Sequence, residues 1–501
     1  MDGTMIGVVG MGVMGRGIAQ LFARAGFVVR CFDVAAGAAP AAVDAIGEML
    51  QRDVEKGRAS QADIDAARAR LVAADALVEL AASELVVEAI VEDLGPKREL
   101  LAALEEILDE RAIFATNTSS LMVAEVAARA RHPERVAGLH FFNPVPLMKV
   151  VEIIPGLRTD ARVVDALRAH VERTGHRGVI AADQPGFLIN HAGRGLYTEG
   201  LRLLEEGVAD VATIDRILRD AAGFRMGPFE LMDLTGLDVS GKVMASIYEQ
   251  FQYEPRFRPS SLVPPRIAAG WFGRKTGRGW YDERGTTPDA PAPSRTVPAD
   301  LRVWVAPEAA RRDALLAAVA RASATPTSSS AEATLCIVQP WGFDATSTAS
   351  AAGLDARRTV AVDPLPEPDR PSTVMLTVAT SPDARDAALA LLSFERTPAT
   401  CIRDSTGFVT QRVLAVIVNI AANIAQRGIA RPDDLDVGVR TGLGYPLGPL
   451  EWGDRIGAKR VLEILRNMLS ATGDPRYRPS PWLVRRAELG LSLRTPDPER
   501  A

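Results

Sequence analysis

A histidine and a glutamate flank a proline-containing segment of this 501-residue sequence. His140 ends the apolar run RVAGLHFF, Glu152 lies in the β-branched run KVVEII, and Pro146 is midway between them. If the chain reverses there, the two side chains face each other across an antiparallel strand pair. A carboxylate on one imidazole nitrogen fixes the tautomer and raises the basicity of the other, which gives a general base. Taken alone, His140 is equally consistent with a packed histidine at a strand end.

Further polar residues follow strand-like runs and extend this hypothesis. The runs cover residues 85–89, 112–116 and 136–141, and a helix-like segment beginning at Lys97 separates the first two. Alternating strands and helices indicate a mostly parallel, doubly wound α/β sheet, in which ligands bind beyond the carboxyl ends of the strands. The polar residues just beyond these ends are Glu92, Asn117, Thr118, Ser119, Ser120 and His140. We therefore expect these residues to converge on one crevice.

A glycine-rich loop near the start of the chain predicts what occupies that crevice. A β-branched run at 6–9 leads into Gly10, Gly12 and Gly15, and a helix-period segment follows. The first glycine suits a tight turn, the second lets a pyrophosphate approach the backbone, and the third permits close helix–strand packing. Asp33 ends the next strand-like run, where it would accept hydrogen bonds from a ribose. No arginine stands at 34–36 to receive a 2′-phosphate, so the cofactor is predicted to be NAD and not NADP.

Composition narrows the class of protein. A hydrophobic content of 47% and a charged content of 24% are those of an ordinary globular protein. The formal net charge of −5 argues against a nucleic-acid partner, which a basic face would bind. The three cysteines are far apart and form no CxxC, which argues against a metal site or a disulfide framework and fits a reducing compartment. Basic residues at 52, 56 and 58 are expected to lie on a solvated helix face.

Targeting signals are not evident. The N-terminus lacks the basic flank and cleavage site of a signal peptide. The apolar segment at 413–425 is too short and too interrupted by asparagine to span a membrane. We therefore expect a cytoplasmic protein without a membrane partner.

Seven sequence blocks together resemble the 3-hydroxyacyl-CoA dehydrogenase family. The blocks are GMGVMGRGIAQ, VVEAIVEDLGPK, TNTSSL, GLHFFNPVPLMKVVE, QPGFLIN, GFRMGPFELMDLTGLD and FGRKTGRGWYD, and they extend to about residue 282. The resemblance implies an NAD-dependent, reversible oxidation of a (3S)-3-hydroxyacyl-CoA to the 3-ketoacyl-CoA, as in β-oxidation and fatty acid metabolism. It places the catalytic base at His140, its orienting carboxylate at Glu152, and contacts to the substrate oxygen at Ser119 and Asn190. It also implies cofactor contacts at Glu92, Lys97, Asn117, Ser119 and Asn143.

The chain continues beyond the resemblance into an internal repeat. Gly186-Phe187 recurs as Gly407-Phe408, and GFRMGPFELMD at 223 recurs as GYPLGPLEWGD at 444, both 221 residues later. The sequence therefore predicts five parts. They are an NAD-binding Rossmann domain at 1–185, a helical C-terminal domain at 186–284, a Pro/Ala/Thr linker at 285–300, a degenerate Rossmann-like segment at 301–404 and a second helical domain at 405–494. We call 1–284 the first copy and 301–494 the second copy.

The second copy lacks the residues that carry chemistry. Asn190 aligns with Gln411, Glu152 aligns with Met375, and no histidine follows His191. Shorter members of the family dimerise through their helical domains, so the second helical domain is expected to take the partner's place as an internal pseudo-dimer, with further homo-oligomerisation possible. The long form resembles the bacterial members of the family that serve phenylacetate catabolism and act on 3-hydroxyadipyl-CoA; 3-hydroxybutyryl-CoA is the other candidate substrate.

Two alternatives remain open at this point. The chain could oxidise a non-CoA hydroxy acid, as the lambda-crystallin-like relatives of the family suggest, and activity on free acids would favour that reading. It could also be a non-catalytic NAD-binding scaffold. The intact set of Ser119, His140, Glu152 and Asn190 favours an enzyme that acts on an acyl-CoA thioester.

Overall fold

The computed structural model describes residues 4–282 and 296–498, so the expected linker falls outside the described residues as far as residue 295. The chain divides into two compact units. The first comprises Met1–His191 with Arg427–Leu443, and the second comprises Ala192–Gln426 with Gly444–Ala501. None of the described helices combines the length and apolarity needed to cross a bilayer.

The first unit is built on an eight-stranded sheet. Its strands are β1 (Met5–Val9), β2 (Val28–Phe32), β3 (Leu71–Ala73), β4 (Leu85–Glu88), β5 (Ile113–Thr116), β6 (Val136–Phe141), β7 (Val150–Pro155) and β8 (Arg177–Ile180). Their spatial order is β3-β2-β1-β4-β5-β6-β7-β8, and β6 with β7 is the antiparallel pair. Strands β4, β5 and β6 are buried along their whole length, as parallel strands covered on both faces must be.

The helices of this unit are α1 (Val13–Arg24), α2 (Ala38–Glu55), α3 (Gln61–Arg68), α4 (Leu94–Glu105), α5 (Val123–Val126), α6 (Ala161–Arg173), the short α7 (Ile189–Ala192) at its edge, and α17 (Pro432–Leu443) from the second copy. The predicted break near Gly57 is present, because this glycine adopts a positive φ of 66° after α2. Ser60 then starts α3 by accepting a hydrogen bond from the Asp63 N–H. The Rossmann-like prediction for the first domain is confirmed.

Helix α17 of the second copy packs on the first sheet. It contacts β7 and β8, and Asp434 lies 3.4 Å from the Arg177 guanidinium. Two glycines of α17 permit this close approach. A Cβ at Gly442 would lie 2.8 Å from Ile189, and one at Gly438 would lie 3.2 Å from Leu188.

The second unit contains a smaller sheet of six strands. They are β9 (Arg302–Val305), β10 (Thr325–Pro326), β11 (Leu335–Val338), β12 (Thr359–Val362), β13 (Thr373–Leu376) and β14 (Thr400–Ile402), in the spatial order β10-β9-β11-β12-β13-β14. Here β12 and β13 form the antiparallel pair. This sheet matches the degenerate Rossmann-like segment that the sequence predicts.

The helices of the second unit fall into three groups. The first helical domain has α8 (Arg194–Glu205), α9 (Val211–Ala222), α10 (Pro228–Thr235), α11 (Leu237–Gln250) and α12 (Val263–Ala268). The second sheet carries α13 (Arg312–Arg321), α14 (Ala345–Ala351) and α15 (Pro382–Ser393). The second helical domain has α16 (Thr410–Gln426), α18 (Pro449–Ile456), α19 (Ala458–Thr472) and α20 (Pro481–Leu489).

Local contacts show how the two α/β parts correspond. Asp183 accepts hydrogen bonds from the first two N–H groups of α5, at Val123 and Ala124. Asp404, which lies 221 residues later, holds the start of α14 in the same way. Helix α14 therefore corresponds to α5, and the preceding β11 corresponds to β5. The segment equivalent to α2, α3, β3, β4 and α4 is missing from the second copy.

The helical domains repeat with the same offset. Helices α10 and α18 begin 221 residues apart, each at a proline that follows glycine. In both helices a glutamate of the first turn accepts the glycine N–H, from Gly227 to Glu230 and from Gly448 to Glu451. The same short motif thus fixes the start of both helices.

The two helical domains contact each other directly through equivalent helices. Helix α8 packs along α16, and a Cβ at Gly195 would lie 3.0 Å from the Ile417 side chain and 3.2 Å from its Cα. Only a residue without a side chain allows that approach. An ion cluster lies at the same interface, where Arg412 of α16 donates to Glu199 and Glu206 of the first copy at 2.5 and 2.6 Å.

Candidate active site

The loop between β1 and α1 has the space that a dinucleotide pyrophosphate needs. Gly10 adopts a φ of +92°, and a Cβ there would lie 2.6 Å from the Ala89 carbonyl oxygen. A Cβ at Gly15 would lie 1.7 Å from the Gly10 carbonyl oxygen, which explains why the helix can lie so close to the strand. A Cβ at Gly12 would meet nothing within 4 Å, so open space borders the first turn of α1. The loop therefore fits NAD, whose pyrophosphate would lie on backbone N–H groups at the helix N-terminus.

Asp33 lies directly beside this loop. One carboxylate oxygen accepts the Met11 N–H at 2.7 Å, and the other accepts the Ala35 N–H at 2.9 Å. A carboxylate has about four lone-pair sites, so two remain for ribose hydroxyls. The geometry agrees with the predicted selection of NAD.

Replacing Asp33 with alanine is expected to weaken NADH binding by about 10- to 100-fold, the effect of losing charge-assisted hydrogen bonds of about 1.5–3 kcal/mol. NADPH binding should change little, because the carboxylate that repels its 2′-phosphate also disappears. Titration of both cofactors measures the preference, with Asp44→Ala on the exposed face of α2 as the control. Equal losses for NADH and NADPH would contradict this role.

The predicted pair of His140 and Glu152 is present. These residues are direct partners in the β6–β7 register, and His140 Nδ1 lies 2.6 Å from Glu152 Oε2. His140 is 5% exposed and Glu152 is fully buried. The rings of Phe142 and Phe187 flank the imidazole, with centroids 4.4 and 5.8 Å away. With Nδ1–H donating to the carboxylate, Nε2 is left as the proton acceptor.

Glu152 has a second contact that the sequence did not predict. Its other carboxylate oxygen, Oε1, accepts the N–H groups of Leu188 and Ile189 at 2.9 and 2.8 Å. These two N–H groups begin the turn that carries half-buried Asn190. One carboxylate therefore fixes both the predicted base and the backbone beside a predicted substrate contact.

Ser119 lies in a loop that is organised by Glu92. The Oε1 atom of Glu92 accepts hydrogen bonds from the Ser119 and Ser120 N–H groups and from the hydroxyls of Thr118 and Ser120. Burial by itself would raise the pKa of Glu92. The Thr118 hydroxyl, the Lys97 ammonium and the serine donors outweigh burial and hold the pKa below its ordinary value. The exposed Ser119 is thus held on an ionised carboxylate, in position to meet a ligand.

Lys97, predicted as a cofactor contact, is fully buried. Its ammonium lies 2.7 Å from Glu88 and 3.3 Å from Glu92. Glu88 is also fully buried and accepts the Thr116 hydroxyl at 2.7 Å. Sequence reasoning missed Glu88, although a carboxylate at the end of the apolar run LVVE signals a buried partner. In this structure Lys97 supports Glu92 from below.

The remaining predicted residues lie around the same end of the sheet. The Asn117 side-chain oxygen accepts the Phe141 N–H at 2.9 Å, which ties the end of β5 to the end of β6. Asn143 is exposed in the loop that follows β6. The structure thus brings Asn117, Ser119, His140, Glu152 and Asn190 together on the first unit.

A cavity of about 640 Å³ lies between α1, α2 and the loop 143–147 that follows the His140 strand. Four arginines line it, at positions 16, 24, 52 and 58. Arg24 is paired with Asp53 at 2.9 Å, and Arg52 approaches Glu48 at 4.0 Å. Two of the basic residues that were expected on a solvated helix face therefore line a cavity beside the candidate site.

Comparison with known proteins identifies the family. The NAD-binding-domain model of 3-hydroxyacyl-CoA dehydrogenase matches residues 5–184, and the C-terminal-domain model matches both 186–283 and 407–496. The chain belongs to the 3-hydroxyacyl-CoA dehydrogenase family. It is an NAD-dependent oxidoreductase of that family with a duplicated C-terminal domain.

Relatives of two lengths are similar to this chain. The 3-hydroxyadipyl-CoA dehydrogenase of Escherichia coli K12 is 36% identical over 97% of both chains. The probable 3-hydroxybutyryl-CoA dehydrogenase of Bacillus subtilis is 38% identical, and its match covers 56% of this chain and 98% of that protein. A crystal structure of a 3-hydroxybutyryl-CoA dehydrogenase from E. coli K12 superimposes with a TM-score of 0.86 and 34% identity, covering 98% of this chain and 99% of that one.

Within this 3-hydroxyacyl-CoA dehydrogenase, the second copy has lost the reaction centre. The β12–β13 register pairs Ala361 with Met375, where the first copy pairs His140 with Glu152. Met375 sulfur accepts the Ser405 N–H, in place of a carboxylate that accepts two N–H groups. Gln411, at the position of Asn190, donates to Pro340 and to Asp363.

Asp363 gives the second copy a measurable pH dependence. It is 5% exposed, and burial raises its pKa to about 6 from an ordinary 3.8. Between these values the folded chain binds more protons than the unfolded chain, so stability falls as pH rises through about 4 to 6. Asp363→Asn should therefore stabilise the protein by up to about 3 kcal/mol above pH 7 and by almost nothing near pH 4. Urea midpoints at both pH values measure this, and a gain independent of pH would contradict it.

Proposed function

We propose that the first copy catalyses the reversible, NAD-dependent oxidation of a (3S)-3-hydroxyacyl-CoA to the 3-ketoacyl-CoA. The observation that carries the proposal is the 2.6 Å contact between His140 and buried Glu152 within an NAD-binding domain. Family membership supports the thioester class, and the distinct chemistry of the set Ser119, His140, Glu152 and Asn190 supports the residue roles.

In the oxidation, bound NAD would accept the hydride that leaves C3 of the substrate. His140 Nε2 takes the proton of the C3 hydroxyl, and Glu152 stabilises the imidazolium that results. The Ser119 hydroxyl and the Asn190 amide donate to the substrate oxygen as it becomes a carbonyl, or as it gains negative charge in the reverse direction. Phe142 and Phe187 keep water away from the imidazole.

The arginine-lined cavity beside α1 and α2 is the proposed place for the phosphates of the CoA moiety. It borders the loop that follows the His140 strand, so a long thioester can extend from it toward the base. Guanidinium groups bind phosphate oxygens through paired hydrogen bonds, and Arg16 and Arg58 have no ion-pair partner among the described residues.

The proposed acyl group is adipyl, with butyryl as the alternative. The relative that matches over 97% of both chains is named for 3-hydroxyadipyl-CoA, whereas the structure that superimposes over nearly the whole chain is named for 3-hydroxybutyryl-CoA. An adipyl substrate would place the enzyme in phenylacetate catabolism, and a butyryl substrate would place it in fatty acid metabolism. The cytoplasm is the proposed location, in keeping with three cysteines that form no disulfide.

An acyl series tests the substrate proposal. NADH oxidation is followed with acetoacetyl-CoA, 3-ketoadipyl-CoA, free acetoacetate and the acetoacetyl thioester of N-acetylcysteamine, which lacks the nucleotide. We expect kcat/KM to be highest for 3-ketoadipyl-CoA and much lower for the truncated thioester, because binding energy from the nucleotide is lost. A higher value for free acetoacetate than for either CoA thioester would identify a hydroxy-acid dehydrogenase instead. NADH binding without any turnover would identify a scaffold.

We also propose that the second helical domain serves as an internal dimer partner for the first. Equivalent helices, α8 and α16, pack against each other. Two reciprocal backbone hydrogen bonds also support the proposal. In the first unit Ala182 donates to Ile429, and in the second unit Arg403 donates to Val208, with both residues of each type 221 positions apart. Each α/β part therefore bonds to the helical domain of the other copy, as an approximate two-fold arrangement requires.

A further inference from the structure

The second copy retains a large cavity although its reaction centre is closed. The cavity has a volume of about 600 Å³ and lies beyond the carboxyl ends of β11 and β12, against α16 and α18. We define it as the second-copy cavity by six of its lining residues, Arg311, Trp341, Arg370, Thr410, Arg455 and Arg460. Ligands of α/β sheets bind at this edge, and small-molecule sites have volumes of about 300–1,000 Å³.

The loss of chemistry and the presence of the cavity are separate features. Gln411 fills the place of the substrate oxygen contact, because its amide accepts the Gly342 N–H and donates to Pro340 and Asp363. The glycine loop is also absent, since APEAA follows β9. A nicotinamide and a hydroxyacyl group thus have no reactive partners here, while the space beside them persists.

The charge of the lining favours an anion. Four arginines face one carboxylate, Glu367, among the residues that line the cavity. Arg311 is held in place by the carbonyls of Pro364 and Leu365, which fixes its guanidinium at the wall. Arg455 lies 3.8 Å from Glu367 and is 63% exposed, so most of its hydrogen-bonding capacity is available.

Two buried polar atoms at this cavity lack partners among the described residues. Thr410 lines the cavity and is 1% exposed, and its hydroxyl has no hydrogen-bond partner. Asp363 Oδ2 is likewise unpartnered and lines a small adjoining cavity that shares Arg311 and Arg370 with the larger one. Buried polar groups are almost always satisfied, so these atoms point to a polar ligand or to the water that accompanies it.

Flat apolar groups complete the lining. Trp452 and Trp341 both border the cavity, and the Arg460 guanidinium lies 4.4 Å from the centre of the Trp341 ring. Tryptophan and arginine planes are surfaces on which a nucleobase stacks, and guanidinium forks match phosphate oxygens.

We propose that the second-copy cavity binds an adenosine phosphate, as a ligand site separate from catalysis. The shared chemistry is a purine ring with two phosphates, which either a free nucleotide or the nucleotide end of a CoA molecule provides. The site is independent of the reaction in the first copy, because no residue of the reaction centre lines it.

Equilibrium dialysis of the full chain with ADP tests this site. The variants are Arg370→Glu/Arg455→Glu, which reverses two exposed charges, and Asp33→Ala, which weakens the dinucleotide site of the first copy. We expect two ADP per wild-type chain, and loss of one site, by about tenfold or more in affinity, in the arginine variant. Its NADH-dependent turnover should equal that of the wild type, which separates this test from the proposed function.

Each other outcome is decisive. One ADP that is lost with Asp33→Ala and kept in the arginine variant would overturn the proposal, as would an absence of binding. One ADP that shows the opposite pattern would support it. Adenosine 3′,5′-bisphosphate in place of ADP distinguishes the sources, since tighter binding of the bisphosphate indicates CoA and tighter binding of ADP indicates a free nucleotide. Inorganic phosphate that binds as tightly as both would overturn the adenosine part.

Discussion

The His140→Ala variant is expected to lose activity by about 10²–10⁴-fold in kcat, the contribution of a positioned general base. NADH affinity should stay unchanged, because His140 contacts Glu152, Phe142 and Phe187 rather than the glycine loop. Initial rates and a separate NADH titration measure the two effects. His132→Ala is the matched control, since this histidine is 39% exposed on its side chain and pairs with Glu134.

Glu152→Gln extends the same prediction to the orienting carboxylate. The variant keeps an oxygen for the Leu188 and Ile189 N–H groups, so the turn before Asn190 should survive. Its NH₂ group would then donate to His140 Nδ1 and place the proton on Nε2, which is the tautomer that cannot accept one. A loss comparable to that of His140→Ala is expected. Full activity in either variant would show that another group takes the proton.

The Arg412→Met variant is expected to lose about 3–5 kcal/mol of stability, the cost of leaving a buried charge without its partner. Arg412 is 2% exposed on its side chain and lies 2.5 Å from Glu199, which is 1% exposed. Glu199 also accepts the Tyr477 hydroxyl at 2.8 Å. Burial alone would lower the pKa of Arg412, but Glu199 and Glu206 outweigh it and hold the pKa above its ordinary value. The arginine therefore remains charged inside the interface between the helical domains.

Urea midpoints measure this loss, and two further variants define its origin. Arg385→Met, which removes an exposed pair with Asp386, should change stability by at most about 1 kcal/mol. Arg412→Met with Glu199→Gln should recover much of the loss, because no unpaired buried charge is left and Tyr477 keeps an acceptor. An Arg412→Met variant as stable as the wild type would mean that the interface between the copies contributes little.

Local sequence features were enough to predict the centre of the site. The symmetry of His140 and Glu152 about Pro146 predicts their cross-strand pairing, because side chains in paired strands face each other at fixed register. The glycine loop and Asp33 were predictable for a similar reason, since each glycine answers a local steric demand.

Other parts of the site depend on contacts between distant residues and could not be predicted. The second role of Glu152 requires the chain to return at Leu188 and Ile189, and no local pattern indicates that distance. The burial of Lys97 depends on Glu88 lying beneath it, so a residue predicted to contact the cofactor acts on Glu92 instead. The Arg412–Glu199 pair joins residues 213 positions apart and has no signature in either segment.

The initial rate of NADH oxidation on addition of acetoacetyl-CoA to the full chain, beside the same assay with NADPH, tests the central claim most directly. The first copy as described predicts rapid turnover with NADH and little with NADPH, since Asp33 borders the ribose site and the His140–Glu152 pair is intact. No turnover in the presence of measurable NADH binding would contradict a 3-hydroxyacyl-CoA dehydrogenase reaction in this copy.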